Sequence, residues 1–233
     1  MKILCEKRKE TLNLTISVLI TKNDKSILSI LRELQINAIK RLSLQSRIGT
    51  YIYPQETLHF SVFNLTSFDL DVDFNSARNF VESQGWFNTL RNFIGEKLIQ
   101  LNNKNYDCKI IKFYIDTKDK EIKNSLTLNL KSDDLIKDLN EIEKSIKEKL
   151  YDLGVSIQNF GIQDNNVKLF RLNILRFFGE EKAFLEGCND FYKFIEEENL
   201  KLDKNPLNVK IAKFCFVISD SYLSNSEPCI SHD

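Results

Sequence analysis

The hydrophobic period of this chain switches repeatedly between two and roughly three and a half, with no linker between the segments. That alternation constrains the fold more than any other feature. Leu12, Leu14, Ile16, Val18 and Ile20 fall on one side of an extended segment, and Asn13, Thr15 and Ser17 on the other, as in a strand with one buried face. From residue 24 the spacing becomes helical: Ile27, Ile30, Leu31, Leu34 and Ala38 form a stripe, with Asp24 or Ser26 as cap. Residues 48–57 read as a loop around Pro54, 58–65 as a strand, and a helix starts at Ser76 with Phe80, Phe87, Leu90 and Phe93 on its stripe. Strands follow at 106–116 and 125–131. The segment 132–154 has a Ser132 cap, acids in its first turn, lysines in its last and Gly154 as its stop. Then come a strand at 167–179, a helix at 182–199 and a final strand at 208–220. The pattern predicts an α+β fold, with residues 1–220 as one domain and 221–233, polar and containing Pro228, as a frayed tail.

Composition narrows the function. Lys+Arg and Asp+Glu are both 33, so there is no overall basic field for long nucleic acids, although a local basic cleft is compatible with that balance. Five cysteines at wide spacing, with no C-x-x-C, fit reduced thiols in a cytoplasmic protein better than a disulfide framework or a zinc site. No apolar window is long enough for a membrane span, and "MKILCEKRKE" lacks the apolar run of a signal peptide. The glycan-acceptor patterns at Asn13 and Asn64 lie in strand-like runs and read as coincidental. The seven glycines form no phosphate-binding loop, and no metal-ligand cluster stands out, so neither cofactor nor metal is expected.

Two strands echo each other: "LHFSVF" at 58–63 and "FRLNIL" at 170–175 share one pattern of apolar and polar positions. Side chains alternate across a strand, so His59 and Ser61 share a side while Leu58, Phe60 and Val62 face the helices. Read alone, a histidine on the polar face of a strand is more often a surface or locally bonded residue than a catalyst. His232, the second histidine, lies at the end of the tail.

The order of elements, together with "P-x-x-x-L-H-x-S-V-x-x-L" and "F-R-L-N-I-L-R-F", resembles the two-histidine (2H) phosphoesterase superfamily, which includes the 2′-5′ RNA ligase-like enzymes and the 2′,3′-cyclic phosphodiesterases. The likeness runs from about Leu12 to Ser219. It implies a bilobal fold of two pseudo-symmetric antiparallel sheets, flanked by helices, with a central cleft. Each lobe of such a protein contributes an H-x-T or H-x-S motif. The two histidines act as general base and general acid, and the hydroxyls bind phosphate oxygens. His59 and Ser61 fit the first motif. In the second, Arg171 stands where the histidine would be and Asn173 where the hydroxyl would be, with Arg176 matching a basic residue often found there.

That departure matters chemically. Imidazole accepts and donates protons near neutrality, whereas a guanidinium stays charged and instead grips phosphate through paired hydrogen bonds. The resemblance therefore implies a cleft that binds a nucleotide or short RNA phosphate ester, with phosphodiester turnover weakened or lost. Two other readings remain open. One is an active phosphodiesterase using His59 with Arg171. The other is an interaction protein that keeps the fold without a small ligand. Thr15, Asn13, Ser17, Thr127, Asn129 and Lys213 are further cleft-facing candidates, each also explicable as a solvated residue. Tyr51 and Tyr53 either stack on a base or pack their loop against the core.

Overall fold

Nine strands and five helices of eight or more residues are found among the described residues of a computed structural model, which are 10–42, 48–70, 72–116, 124–155, 169–179, 189–219 and 226–230. The elements are β1 (Glu10–Leu19), α1 (Ser26–Leu42), β2 (Ile48–Ile52), β3 (His59–Leu70), α2 (Phe74–Ser83), α3 (Gly85–Asn102), β4 (Tyr106–Asp116), β5 (Asn124–Lys131), α4 (Asp133–Asp152), β6 (Phe170–Gly179), α5 (Asn189–Lys204), β7 (Asn208–Ile211), β8 (Cys215–Ser219) and β9 (Ser226–Ile230). The architecture is α+β.

All nine strands join one antiparallel sheet in the order β7-β4-β5-β6-β3-β1-β8-β9, with β2 pairing β6 beside this path. The expectation of two separate sheets is corrected to that extent. The midline of the order is nonetheless its weakest joint. Among the described residues, β3 and β6 share one registered pair, Phe60↔Leu172, whereas β1 and β3 pair along ten. A short connection also forces the sheet to curl. A flat sheet would separate β7 from β8 by six inter-strand steps, roughly 29 Å. Only residues 212–214 link Ile211 to Cys215, and that span reaches about 14 Å at full extension.

The core occupies the apolar face of the sheet. Leu12, Leu14, Ile16 and Val18 of β1 are buried, as their alternation predicts, and so are Phe60, Leu126, Leu128, Leu130, Phe170 and Leu172. Helix α4 follows its sequence signals at both ends. The Ser132 hydroxyl accepts from Leu135 N–H at 3.4 Å. Gly154 takes a left-handed φ of +67°, so that Val155 N–H reaches Leu150 O and Gly154 N–H reaches Tyr151 O, the Schellman arrangement.

Four segments depart from the sequence reading. Residues 48–52 are a strand, not a loop, paired with β6 from Ile48↔Gly179 to Ile52↔Leu175. The helix expected from Ser76 is two helices. Asp73 caps the first by accepting from Ser76 N–H, and extended Gln84 separates it from the second. That break resets the helical phase and leaves Phe80 57% exposed. The final strand is also two, because Asn23 captures the chain between them. Its Oδ1 accepts from Ala212 and Lys213 N–H, and its Nδ2 donates to Lys213 O. Lys213 is thus an exposed connection residue and not a strand residue facing the polar side. Within the tail expected to fray, Ser226–Ile230 pair with β8 as an edge strand, where the missing N–H of Pro228 is tolerated. His232 and residues 182–188 lie outside the described residues.

Candidate functional site

The seam between β3 and β6 gathers the polar residues singled out in the sequence. Antiparallel counting from Phe60↔Leu172 sets His59 opposite Asn173 and Ser61 opposite Arg171. Phe60 and Phe170 meet on the apolar face, with ring centroids 5.3 Å apart. The odd-numbered neighbours therefore occupy the other face. A bulge at Ile174, between the pairs Leu126↔Leu175 and Thr127↔Asn173, shifts the alternation of β6 by one. Arg176 is thereby returned to the face that carries Arg171 and Asn173.

Two rows of side chains cross this face. One runs Lys112, Asn129 and Arg171 across β4, β5 and β6, then Ser61, Ser17 and Cys215 across β3, β1 and β8. The other runs Tyr114, Thr127, Asn173 and His59. The face is polar yet largely withdrawn from water: Ser17, Thr127 and Asn129 are buried, and Thr15 is 6% exposed.

His59 is half-buried and held in one tautomer. Its Nδ1 lies 2.8 Å from Thr57 O. A carbonyl only accepts, so Nδ1 carries the proton and Nε2 keeps its lone pair. Burial pushes the His59 pKa down to about 4, against the opposing pull of the Thr57 carbonyl, and the nearby positive charge of Arg176 lowers it further. The imidazole is neutral at pH 7 and presents an acceptor.

Asn173 is oriented by its neighbours on β5. Thr127 Oγ1 donates to Asn173 Oδ1 at 2.9 Å and also bonds Ser125 Oγ at 2.9 Å. With its oxygen engaged on that side, the Asn173 amide offers its N–H groups elsewhere. Ser125 belongs to this network and was not singled out by the sequence reading. Thr15 is different. Its hydroxyl bonds Ser17 Oγ at 3.0 Å inside the sheet.

The tyrosines divide. Tyr51 is half-buried, whereas Tyr53 is 2% exposed, with its ring edge-on to Tyr51 at 5.1 Å and the Arg176 guanidinium 5.7 Å from its centroid. The packing reading of Tyr53 fits this geometry.

Gln35 is the residue that the sequence reading passed over. It sits fully buried on α1, and its Nε2 donates to both Tyr53 O and Ile174 O at 2.9 Å. One amide thus ties the helix to the approach to β3 and to the bulge that aims Arg176. The available signal was a polar side chain four residues after Leu31 and three before Ala38, within the apolar stripe.

Among the described residues, no three His, Cys, Asp or Glu side chains converge as a metal site. Cys108 and Cys215 are buried thiols, and no described helix is long and apolar enough to cross a membrane. No protein-family model matches the chain, and no curated protein matches it. One solved structure that is similar to it is the crystal structure of TT0787 of Thermus thermophilus, at TM-score 0.48 and 9% identity, covering 95% of this chain and 100% of that one. A likeness of that degree carries no functional argument.

Proposed function

We propose that this chain is a 2H phosphoesterase-like protein. Its seam, flanked by the β3 half and the β6 half of the sheet, binds the phosphate of a nucleotide or short RNA ester, with phosphodiester turnover weakened or absent. The observation that carries the reading is the Phe60↔Leu172 register, which gives His59, Ser61, Arg171 and Asn173 a common polar face across the joint of the sheet. Arg171 supplies paired donors and fixed charge to phosphate oxygens. The Asn173 amide and the Ser61 hydroxyl supply neutral donors. The Nε2 lone pair of His59 is the single proton acceptor of the set.

A two-step proton relay needs a donor facing that acceptor, and a guanidinium is a charge-bearing phosphate ligand and not a proton shuttle. Each general acid or base contributes about 10²- to 10⁴-fold, so loss of one partner leaves slow turnover at best. The neutral state of His59 favours the active reading as a second choice, because a lone acceptor still activates a nucleophile.

The test is calorimetric binding and a turnover assay with a nucleoside 2′,3′-cyclic phosphate. Arg171→Ala is expected to weaken binding about 10- to 100-fold, the range for a hydrogen bond to a charged group. His59→Ala is expected to abolish whatever turnover exists while binding persists. Absence of any Arg171-dependent binding overturns the proposal. Fast turnover lost in His59→Ala replaces it with the active reading.

A further inference from the structure

Asn129 holds a buried acceptor that the fold leaves unanswered. The residue is 5% exposed, and its Oδ1 has no hydrogen-bond partner among the described residues. Its neighbours on either side are both cationic, Lys112 on β4 and Arg171 on β6. A buried polar atom left unmet costs about 1–3 kcal/mol, and such an atom on a candidate ligand face points to a missing donor.

The chemistry of that donor is restricted. A phosphate oxygen is itself an acceptor and is taken by the flanking cations, not by Oδ1. A charged ammonium group is repelled by Lys112 and Arg171. What fits is a neutral donor on the same molecule as the anion, and the short reach from Arg171 favours a hydroxyl over a base N–H. It would sit about 5 Å, one strand spacing, from the strand that carries Arg171. In a nucleotide that description matches a ribose hydroxyl vicinal to the esterified phosphate, the group that distinguishes RNA from DNA.

We infer that Asn129 is a specificity-determining residue that accepts a hydrogen bond from the free ribose 2′-hydroxyl of a ribonucleotide whose phosphate lies against Arg171. The inference rests on the phosphate-binding reading given above and deepens it. The deoxy form of the same ligand leaves Oδ1 without that donor.

The experiment compares adenosine 3′-monophosphate with its 2′-deoxy counterpart by titration calorimetry, on the wild-type chain and on Asn129→Leu. The wild-type protein is expected to bind the ribo form about tenfold tighter, one net hydrogen bond. Asn129→Leu is expected to bring that ratio close to one without weakening the deoxy form. A wild-type ratio near one overturns the inference by itself, whether or not the variant folds, and leaves phosphate binding standing. A tenfold ratio that survives in Asn129→Leu also overturns it, because another group then reads the hydroxyl. Binding of neither compound overturns both this inference and the reading beneath it.

Discussion

His59 shows how one bond can fix the chemical state of a side chain. The Thr57 carbonyl dictates which ring nitrogen holds the proton, and burial holds the imidazolium pKa near 4 against 6.5 for the free residue. The unfolded chain therefore takes up a proton as pH falls through 6.5, while the native chain resists until about 4. Falling pH favours unfolding in that window, and stability rises as pH climbs back through it. Between pH 7.5 and 5 the loss is about 2 kcal/mol, from the proton uptake of one residue. The lowered carboxyl pKa values of Asp24, Asp73 and Asp138 act below their ordinary 3.8 and do not contribute to this window. His59→Asn keeps a donor for Thr57 O and removes the titration. Urea unfolding of this variant at the two pH values is expected to show most of that 2 kcal/mol difference gone; an unchanged difference would place the titrating group elsewhere. The polar character of this position was legible in the sequence from alternation alone. The depressed basicity was not, because it comes from burial and from Arg176, which a bulge turns toward the histidine.

Among the elements, the legible features were those encoded within a few residues. The β1 alternation, the Ser132 cap and the Gly154 stop each depend on near neighbours in the chain, and each is found where the pattern puts it. The illegible ones depend on distant partners. "NVKIAKFCFVIS" reads as one run of strand-forming residues although its apolar phase shifts from Val209 and Ile211 to Phe214, Phe216 and Ile218, and it is broken there by an asparagine about 190 residues away that binds its backbone. Asn102 assists, its Oδ1 accepting from Phe214 N–H at 2.8 Å. "IGTYI" is short and contains a glycine, and it becomes a strand because β6 offers it an edge. The bulge at Ile174 is similar, since its freed carbonyl is met by Gln35 from a different helix. Gln35→Leu would strand two buried carbonyls, Tyr53 O and Ile174 O, while removing one unmet acceptor, Gln35 Oε1. The net destabilisation is expected to be about 1–3 kcal/mol. Gln35→Glu is expected to cost more, because an ionised carboxylate has no donor for either carbonyl and becomes a buried charge. Denaturant midpoints of the two variants settle the order; a Glu variant as stable as the Leu variant would mean that the clamp does not depend on donation.

At the scale of the molecule, the sheet consists of two well-paired halves around a narrow joint, and the C-terminal segment belongs to both. β7 pairs β4 on one side, and four residues later β8 pairs β1 on the other. The aromatic contacts repeat that division: Phe214 packs edge-on to Tyr106 at the start of β4 at 5.8 Å, and Phe216 lies 6.2 Å from Phe87 of α3. The joint at Phe60↔Leu172 is one registered pair wide, so this return of the chain is a second link between the halves. Phe214, Cys215, Phe216, Val217 and Ile218 are all buried. At about 1.5–3 kcal/mol for each of these large apolar side chains, their removal costs roughly as much as the 5–15 kcal/mol by which a domain is stable. A chain ending at Ala212 is therefore expected to lose cooperative unfolding, seen as a flat thermal melt by circular dichroism. Among the described residues, a chain ending at Ser219 gives up only the edge strand β9, and it is expected to keep a cooperative melt at a lower midpoint. If the shorter chain melted as sharply as the longer one, the two halves would be held together by the seam itself, and the polar face would owe its curvature to β3 and β6 rather than to β8.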